Sequence, residues 1–477
     1  MAIQTTISDL MASSNVCFGT SGVRGLVADM TPDVCYAYTA AFLQAVPATV
    51  ARIALAIDLR PSSPAIASAC AAAIEAAGFD VDYCGAIPTP ALELYAEVQR
   101  VPAIMVTGSH IPFDRNGIKF YSAMGEITKA EETRIAHAAV MLPASRLATR
   151  LPTINSAARE GYLQRYLAFF PASFLAGRKI AIYEHSSVAR DLIKELLVCF
   201  GAEAISLGRT DGFVPIDTEA VSQSDIDQAK RWAVETRFDA ILSTDGDADR
   251  PLVGDETGQW LRGDITGILC AQALDAQAVV TTVSCNTAIE GCGAFLDVRR
   301  TKIGSPYVIE GIDAFLAQGR ASVVGFEPNG GFLVGSPIFL QGRNLSALKT
   351  RDAFLPMFCL LAASLGKNNC LSSLTKALPP RFTASDRVRG FPTEKSRALL
   401  VELAAFPASI DTLLSGLCGK LESLDQTDGL RMTMERDEIV HLRPSGNAPE
   451  LRCYAEASSP MRAQYLVDET LRRVNMC

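Results

Sequence analysis

One order of segments recurs three times along this 477-residue chain, and it limits the possible folds more than any other feature. A short apolar run at 52–58 precedes an Ala-rich stretch at 64–77, then Gly78 and a second apolar run at 79–83. The order returns at 179–183, 188–200, Gly201 and 203–207, and more faintly at 278–283, 287–295 and 296–301. Short apolar runs suit buried strands, and a longer run stopped by glycine suits a helix. Strand–helix–strand units imply parallel pairing with right-handed crossovers, so the expectation is an α/β protein with three related units.

The chain is too long for one hydrophobic core, and ordinary domain sizes suggest roughly three or four units. The Pro, Ser, Thr and Asn mixture at 143–158 reads as a first link, and the turn-rich 254–263 as the start of a third unit. The Asn/Ser-rich patch 367–373 and the pair Pro379-Pro380 open a last unit with less regular alternation. The expected divisions are 1–147, 148–256, 257–369 and 370–477.

Hydrophobic residues at 49% and charged residues at 20% are the balance of a globular protein. A net charge of -8 argues against a nucleic-acid partner, because such binding draws on a broad cationic surface. The 13 Cys contain no CxxC pair, so buried reduced thiols are expected rather than a disulfide framework. No run of about 18 apolar residues occurs. The most apolar stretch, 353–365, is interrupted by Pro356 and reads as a buried helix. With no signal-like start, a cytoplasmic protein without a membrane partner is expected.

Two segments carry the strongest chemistry. The strand-like 102–106 runs into Thr107-Gly108-Ser109-His110-Ile111-Pro112, placing Ser109 on a loop at the carboxyl end of a buried strand, where ligands gather in open α/β sheets. Asn116-Gly117 reads as a hairpin that turns Lys119 back toward this loop. A Ser capping a turn and a nucleophile fit the segment equally well. It lacks the G-x-S-x-G pattern of the hydrolase elbow, and His110 by itself reads more readily as structural. The second segment, Asp245-Gly246-Asp247-Ala248-Asp249-Arg250, follows a strand at 238–243. Alternate residues of an extended chain point one way, so three carboxylates can meet on one hard cation. Glu256 completes part of an EF-hand spacing, but Arg250 stands where that loop needs Gly, and Pro251 follows.

Three weaker segments accompany them. Gly19-Thr20-Ser21-Gly22-Val23-Arg24-Gly25 has the glycines, hydroxyls and single Arg of an oxyanion loop without a Walker A ending. Gly325-Phe326-Glu327-Pro328-Asn329-Gly330-Gly331 offers a carboxylate and an amide to vicinal hydroxyls. Arg443-Pro444-Ser445-Gly446-Asn447-Ala448-Pro449 joins a guanidinium fork to hydroxyl, amide and backbone donors, an inventory that suits a phosphate dianion. Each of the three is also readable as a plain turn.

Taken together, these five loops resemble those of the α-D-phosphohexomutase superfamily, the phosphomannomutase and phosphoglucomutase enzymes, over essentially the whole chain. The resemblance implies four domains around a central cleft: three related α/β units with mixed, mostly parallel sheets, then a C-terminal α+β domain. It implies that Ser109 carries a phosphoryl group and that magnesium joins it to Asp245, Asp247 and Asp249. Arg24, His110 and Lys119 would assist proton transfer and offset charge. Arg250, Glu327 and Asn329 would contact the sugar phosphate, and Arg443, Ser445, Gly446 and Asn447 its non-reacting phosphate. Hexose 6-phosphate and 1-phosphate would interconvert through a bound hexose 1,6-bisphosphate, with mannose favoured over glucose and the protein a monomer or homodimer. Many relatives carry Glu-x-Ser-Gly-His in the sugar loop, whereas Asn329 and Gly331 replace its Ser and His here, and Ile111 replaces an Asn before Pro112. The Asn329 replacement disfavours an amino-sugar substrate. A metal-dependent sugar phosphatase and a non-catalytic sugar-phosphate sensor are the competing readings.

Overall fold

The computed structural model describes residues 3–19, 22–145, 147–366, 370–445 and 449–476. Each of the three repeats forms its own sheet, and the sheets share one strand order. In the first, Arg52–Ile57 lies between Asp80–Ala86 and Ala103–Val106, parallel to both, and Arg115–Ser122 returns antiparallel to Ala103–Val106. In the second, Lys179–Tyr183 lies between Glu203–Leu207 and Ala240–Thr244, and Pro251–Gly254 returns. In the third, Ala278–Thr282 lies between Asp297–Thr301 and Val323–Phe326, with Phe332–Val334 and then Leu348–Asp352 antiparallel beyond. The return strands make the sheets mixed, and each leaves a hairpin loop at the carboxyl end of the third parallel strand. Those loops are 107–114, 245–250 and 327–331.

The fourth sheet is antiparallel, in the order Phe382–Arg389, Glu450–Ala457, Glu438–Pro444, Leu430–Met434 and Leu421–Asp425, with helix Pro460–Val474 against it. Alternation sorts its faces. Met432, Val440, Leu442 and Cys453 enter the core, while Arg431, His441, Arg443 and Arg452 lie on the other face.

The first three units are not separate globules. One core runs from Ala54 and Leu92 through Tyr166 and Leu192 to Phe354 and Phe358. Burying each such aromatic or Leu contributes about 1.5–3 kcal/mol. Tyr162 donates to Asp352 at 2.8 Å and Tyr166 donates to the same carboxylate, which pins the last strand of the third sheet to helix Ala157–Phe169.

Five local expectations change. Asn116-Gly117 is no turn: both lie inside Arg115–Ser122, where the Asn116 amide donates to Ser62 and Ser63 and the backbone pairs with Val23–Leu26. Lys119 still comes back to the loop because the whole strand returns, opposite Met105. The faint helix at 287–295 shrinks to Ala288–Gly291. Pro356 does not interrupt Phe354–Leu365, since it sits in the first turn, where its missing N–H is not needed. Among the described cysteines all are free thiols, yet Cys17 and Cys199 are exposed rather than buried. Finally, 245–250 is a turn and not an extended segment; its chain reverses through Ala248 at φ 57°. No helix among the described residues is long and apolar enough to cross a membrane.

Candidate active site

Ser109 sits in a loop shaped by one buried guanidinium. Arg60 follows strand Arg52–Ile57 and donates to the carbonyls of Ser109, Ile111, Pro112 and Arg115 at 2.6–2.9 Å. Its charge is met by Asp58 at 3.4 Å and its face by the Phe213 ring at 3.9 Å. Gly108 lets it pass, because a Cβ there would lie 2.6 Å from the Arg60 Cζ. Under this brace Ser109 adopts φ 50°, a left-handed conformation unfavourable for a side-chain-bearing residue. Its Oγ donates to Asp245 Oδ2 at 2.6 Å. Sequence reading missed Arg60; its only signal was an Asp-x-Arg at the end of a buried strand.

The turn at 245–250 gathers three buried carboxylates, with one oxygen of each within 4.8 Å of the others. Asp247 Oδ2 accepts from Thr89 Oγ1 and Lys119 Nζ, both at 2.8 Å. Asp249 Oδ2 accepts from Lys119 at 3.1 Å and Arg351 at 2.8 Å. Among the described residues the second oxygens, Asp247 Oδ1 and Asp249 Oδ1, are buried without a hydrogen-bond partner. Asp249 Oδ1 lies 3.5 Å from Arg250 Nε, and with Asp245 these two oxygens offer the carboxylate donors that a hard divalent cation takes.

The surrounding charges are unevenly shared. Burial, followed by Asp247 and Asp249, pushes the Asp245 carboxyl well up. Burial would raise Asp249 too, but Arg351, Lys119 and Arg250 outweigh it and hold the carboxyl down. Lys119 loses charge stability to burial and regains more from Asp247 and Asp249, so its ammonium stays protonated. Arg24, on Val23–Leu26, is lowered to about 10 by burial and by the nearby Arg250 and Arg351, and remains a cation at neutral pH. His110 is pushed well below the usual histidine range by burial and Arg250. A guanidinium only donates, so the 2.9 Å contact from Arg250 makes His110 Nδ1 the acceptor and puts the ring proton on Nε2.

Models of the phosphoglucomutase/phosphomannomutase family match in three places: α/β/α domain I at 15–141, α/β/α domain III at 262–382 and the C-terminal domain at 393–473. A phosphomannomutase of Salmonella muenchen is 48% identical over 98% of this chain and 97% of its own length. Another, from Sinorhizobium fredii, is 42% identical over 96% and 98%. This chain is a member of the α-D-phosphohexomutase superfamily. An N-acetylphosphoglucosamine mutase of Aspergillus fumigatus, solved with GlcNAc-6P and magnesium, shares the phosphohexomutase fold at 15% identity and TM-score 0.56, covering 98% of this chain and 99% of that one.

The other predicted phosphohexomutase residues fall in two places. Glu327 and Asn329 form a tight turn in the third hairpin loop, where Asn329 Oδ1 accepts from Gly331 N at 2.9 Å and Gly330 N donates to Glu327 O at 2.9 Å. This loop reaches the metal turn through a residue not predicted, Arg351, whose Nη1 lies 3.4 Å from Glu327 Oε2. No sequence motif marked it. Arg443 ends a strand of the fourth sheet and donates to Asp428 at 2.8 Å, while Ser445 is buried next to it. Gly446 and Asn447 lie outside the described residues, as do Thr20 and Ser21 of the first loop. Burial and Asp217 push the half-buried Glu219 carboxyl up, more than Arg262, Arg452 of the fourth sheet and Arg250 hold it down.

Proposed function

We propose that this phosphohexomutase interconverts hexose 6-phosphate and hexose 1-phosphate through phosphoSer109, with mannose phosphates as the preferred pair. The carrying observation is the 2.6 Å contact of Ser109 Oγ with Asp245, inside a ring formed by Asp247, Asp249, Lys119, Arg24 and Arg250. A phosphoserine carries about -1.5 to -2 charge at neutral pH, and this ring supplies cations to offset it. Magnesium held by Asp245, Asp247, Asp249 and phosphoSer109 would draw charge from the phosphoryl oxygens. The protein's own part is positioning and electrostatics.

In the first half-reaction a sugar hydroxyl attacks phosphorus, the P–O bond to Ser109 breaks, and a 1,6-bisphosphate forms. The hydroxyl proton is lost as Ser109 Oγ regains one. His110 Nδ1 lies 3.3 Å from Ser109 Oγ and would carry the proton once Arg250, which now donates to that nitrogen, turns to the phosphoryl group, and Lys119, charged and tied to two carboxylates, fits a fixed cation. The bisphosphate then turns end for end, and Ser109 takes the other phosphoryl. Glu327 and Asn329 would read the sugar hydroxyls, while Arg443, Ser445, Gly446 and Asn447 would hold the idle phosphate in both orientations. The two full-length relatives support mannose over glucose. Four domains, 1–147, 148–256, 257–369 and 370–477, a cytoplasmic location and a monomer or homodimer complete the proposal.

A coupled assay with mannose 1-phosphate or glucose 1-phosphate, magnesium and a trace of the matching bisphosphate tests it. Turnover should need the metal, favour mannose, and fall about a thousandfold or more in Ser109→Ala. Undiminished turnover in that variant rules out the phosphoserine, and release of free phosphate from hexose 6-phosphate would point to a hydrolase instead.

A further inference from the structure

Arg351 lies on the last strand of the third sheet, paired with the return strand Phe332–Val334 that follows the loop it serves. Its side chain crosses directly over Gly331, where a Cβ would stand 2.5 Å from its Cδ and 2.6 Å from its Cγ. The volume that a side chain at 331 would need is therefore filled by the stem of Arg351. Beyond that stem the guanidinium divides. Nε and Nη2 donate to Asp249 Oδ2 at 3.1 and 2.8 Å, while Nη1 faces Glu327 Oε2 and Ser305 Oγ, both at 3.4 Å. One buried group thus holds a carboxylate of the metal turn and the carboxylate of the sugar loop.

The geometry at Asp249 gives the tie a direction. Arg351 and Lys119 both take Oδ2, while Oδ1 makes no hydrogen bond among the described residues and lies 3.5 Å from Arg250 Nε. A carboxylate with one oxygen fixed by donors cannot rotate freely, so the other keeps one direction within the turn where the three aspartates gather. On the sugar side, Glu327 is oriented by the same guanidinium.

We propose that Arg351 is a positioning residue that aims Asp249 at the metal and Glu327 at the sugar, and that Gly331 is bare to let it do so. The proposal rests on the functional reading above for the identity of the metal and sugar sites. It explains how this chain does without a side chain at 331: the sugar loop receives its cation from a neighbouring strand.

Binding of Mn2+ to the purified protein without sugar, followed by the EPR signal of free Mn2+, tests the metal half independently of turnover. Arg351→Met should weaken Mn2+ about ten- to a hundredfold. Arg351→Lys keeps a cation for Asp249 and loses the fork, so it should retain more of the metal affinity while raising KM for mannose 1-phosphate more than it lowers kcat. Gly331→Ala should reproduce both defects with Arg351 intact, and it decides the matter should Arg351→Met fail to fold. Wild-type Mn2+ affinity in Arg351→Met, a silent Gly331→Ala, or no Mn2+ binding by the wild type would each overturn the proposal. Tight Mn2+ binding that depends on Arg351, in a protein that turns over no hexose phosphate, would support the metal half and defeat the mutase reading alone.

Discussion

The Ser109 loop and the sugar loop occupy the same place in two related sheets, yet they are held by opposite chemistry. Both join a third parallel strand to its antiparallel return, and in both an arginine from elsewhere crosses a bare glycine: Arg60 over Gly108, Arg351 over Gly331. Arg60 spends its donors on four carbonyls and so fixes a backbone, including the left-handed Ser109. Arg351 faces carboxylates and fixes where charge points. A loop that presents a nucleophile needs a rigid path, whereas one that reads hydroxyls needs an oriented acceptor. The metal turn between them uses a third device, His185, whose Nε2 donates to Thr244 O at 3.0 Å just before Asp245.

The sharpest way to break this contrast is Arg60→Met. It leaves Asp58 buried without its counter-charge and several carbonyls unserved, so unfolding in urea should show a loss of about 3–5 kcal/mol, together with lost turnover. Arg351→Met should lose less, because Lys119 and Arg250 remain beside Asp249. Equal losses would mean that both arginines are simply structural.

The metal turn can be probed with pH. Burial lowers His185 from 6.5 to about 4 in the folded protein. The unfolded chain therefore binds more protons in that window: stability is complete above about pH 6.5 and is lost as pH falls toward 4, by about 3 kcal/mol at most. His441, lowered to about 4 by burial as well, adds a similar slope in the fourth unit. Replacing His185 with Gln should flatten part of the decline measured by urea unfolding across this range, and an unchanged profile would remove the ring from the account.

Smaller effects sharpen the comparison further. Gly108→Ala should destabilise by about 1–3 kcal/mol as Arg60 is pushed aside, visible as a lower Tm with reduced kcat. A normal Tm and kcat would show that the brace tolerates a methyl group. In the fourth unit, Asp428→Asn loosens Arg443 in a partly exposed pair, so stability should change by less than about 1 kcal/mol while KM for the sugar phosphate shifts. An unmoved KM would separate Arg443 from substrate.

The sequence by itself determined the repeated strand–helix–strand order, because strand and helix periods and the glycine stops are local properties. Strands Lys179–Tyr183 and Glu203–Leu207 fall where their apolar runs place them. It also marked Ser109 and the three aspartates, since each motif is contiguous. Tertiary structure alone decided the rest. Asn116-Gly117 became strand because its side chain and backbone found partners across the sheet. The aspartates converge through a turn at Ala248 rather than along an extended chain. Arg60 and Arg351 lie 48 and 20 residues from the glycines they cross, a separation no local pattern can bridge. Only the pairing of distant strands within each sheet brings those guanidiniums over a bare Cα, and that proximity turns two glycine-rich turns into a held nucleophile and an aimed carboxylate.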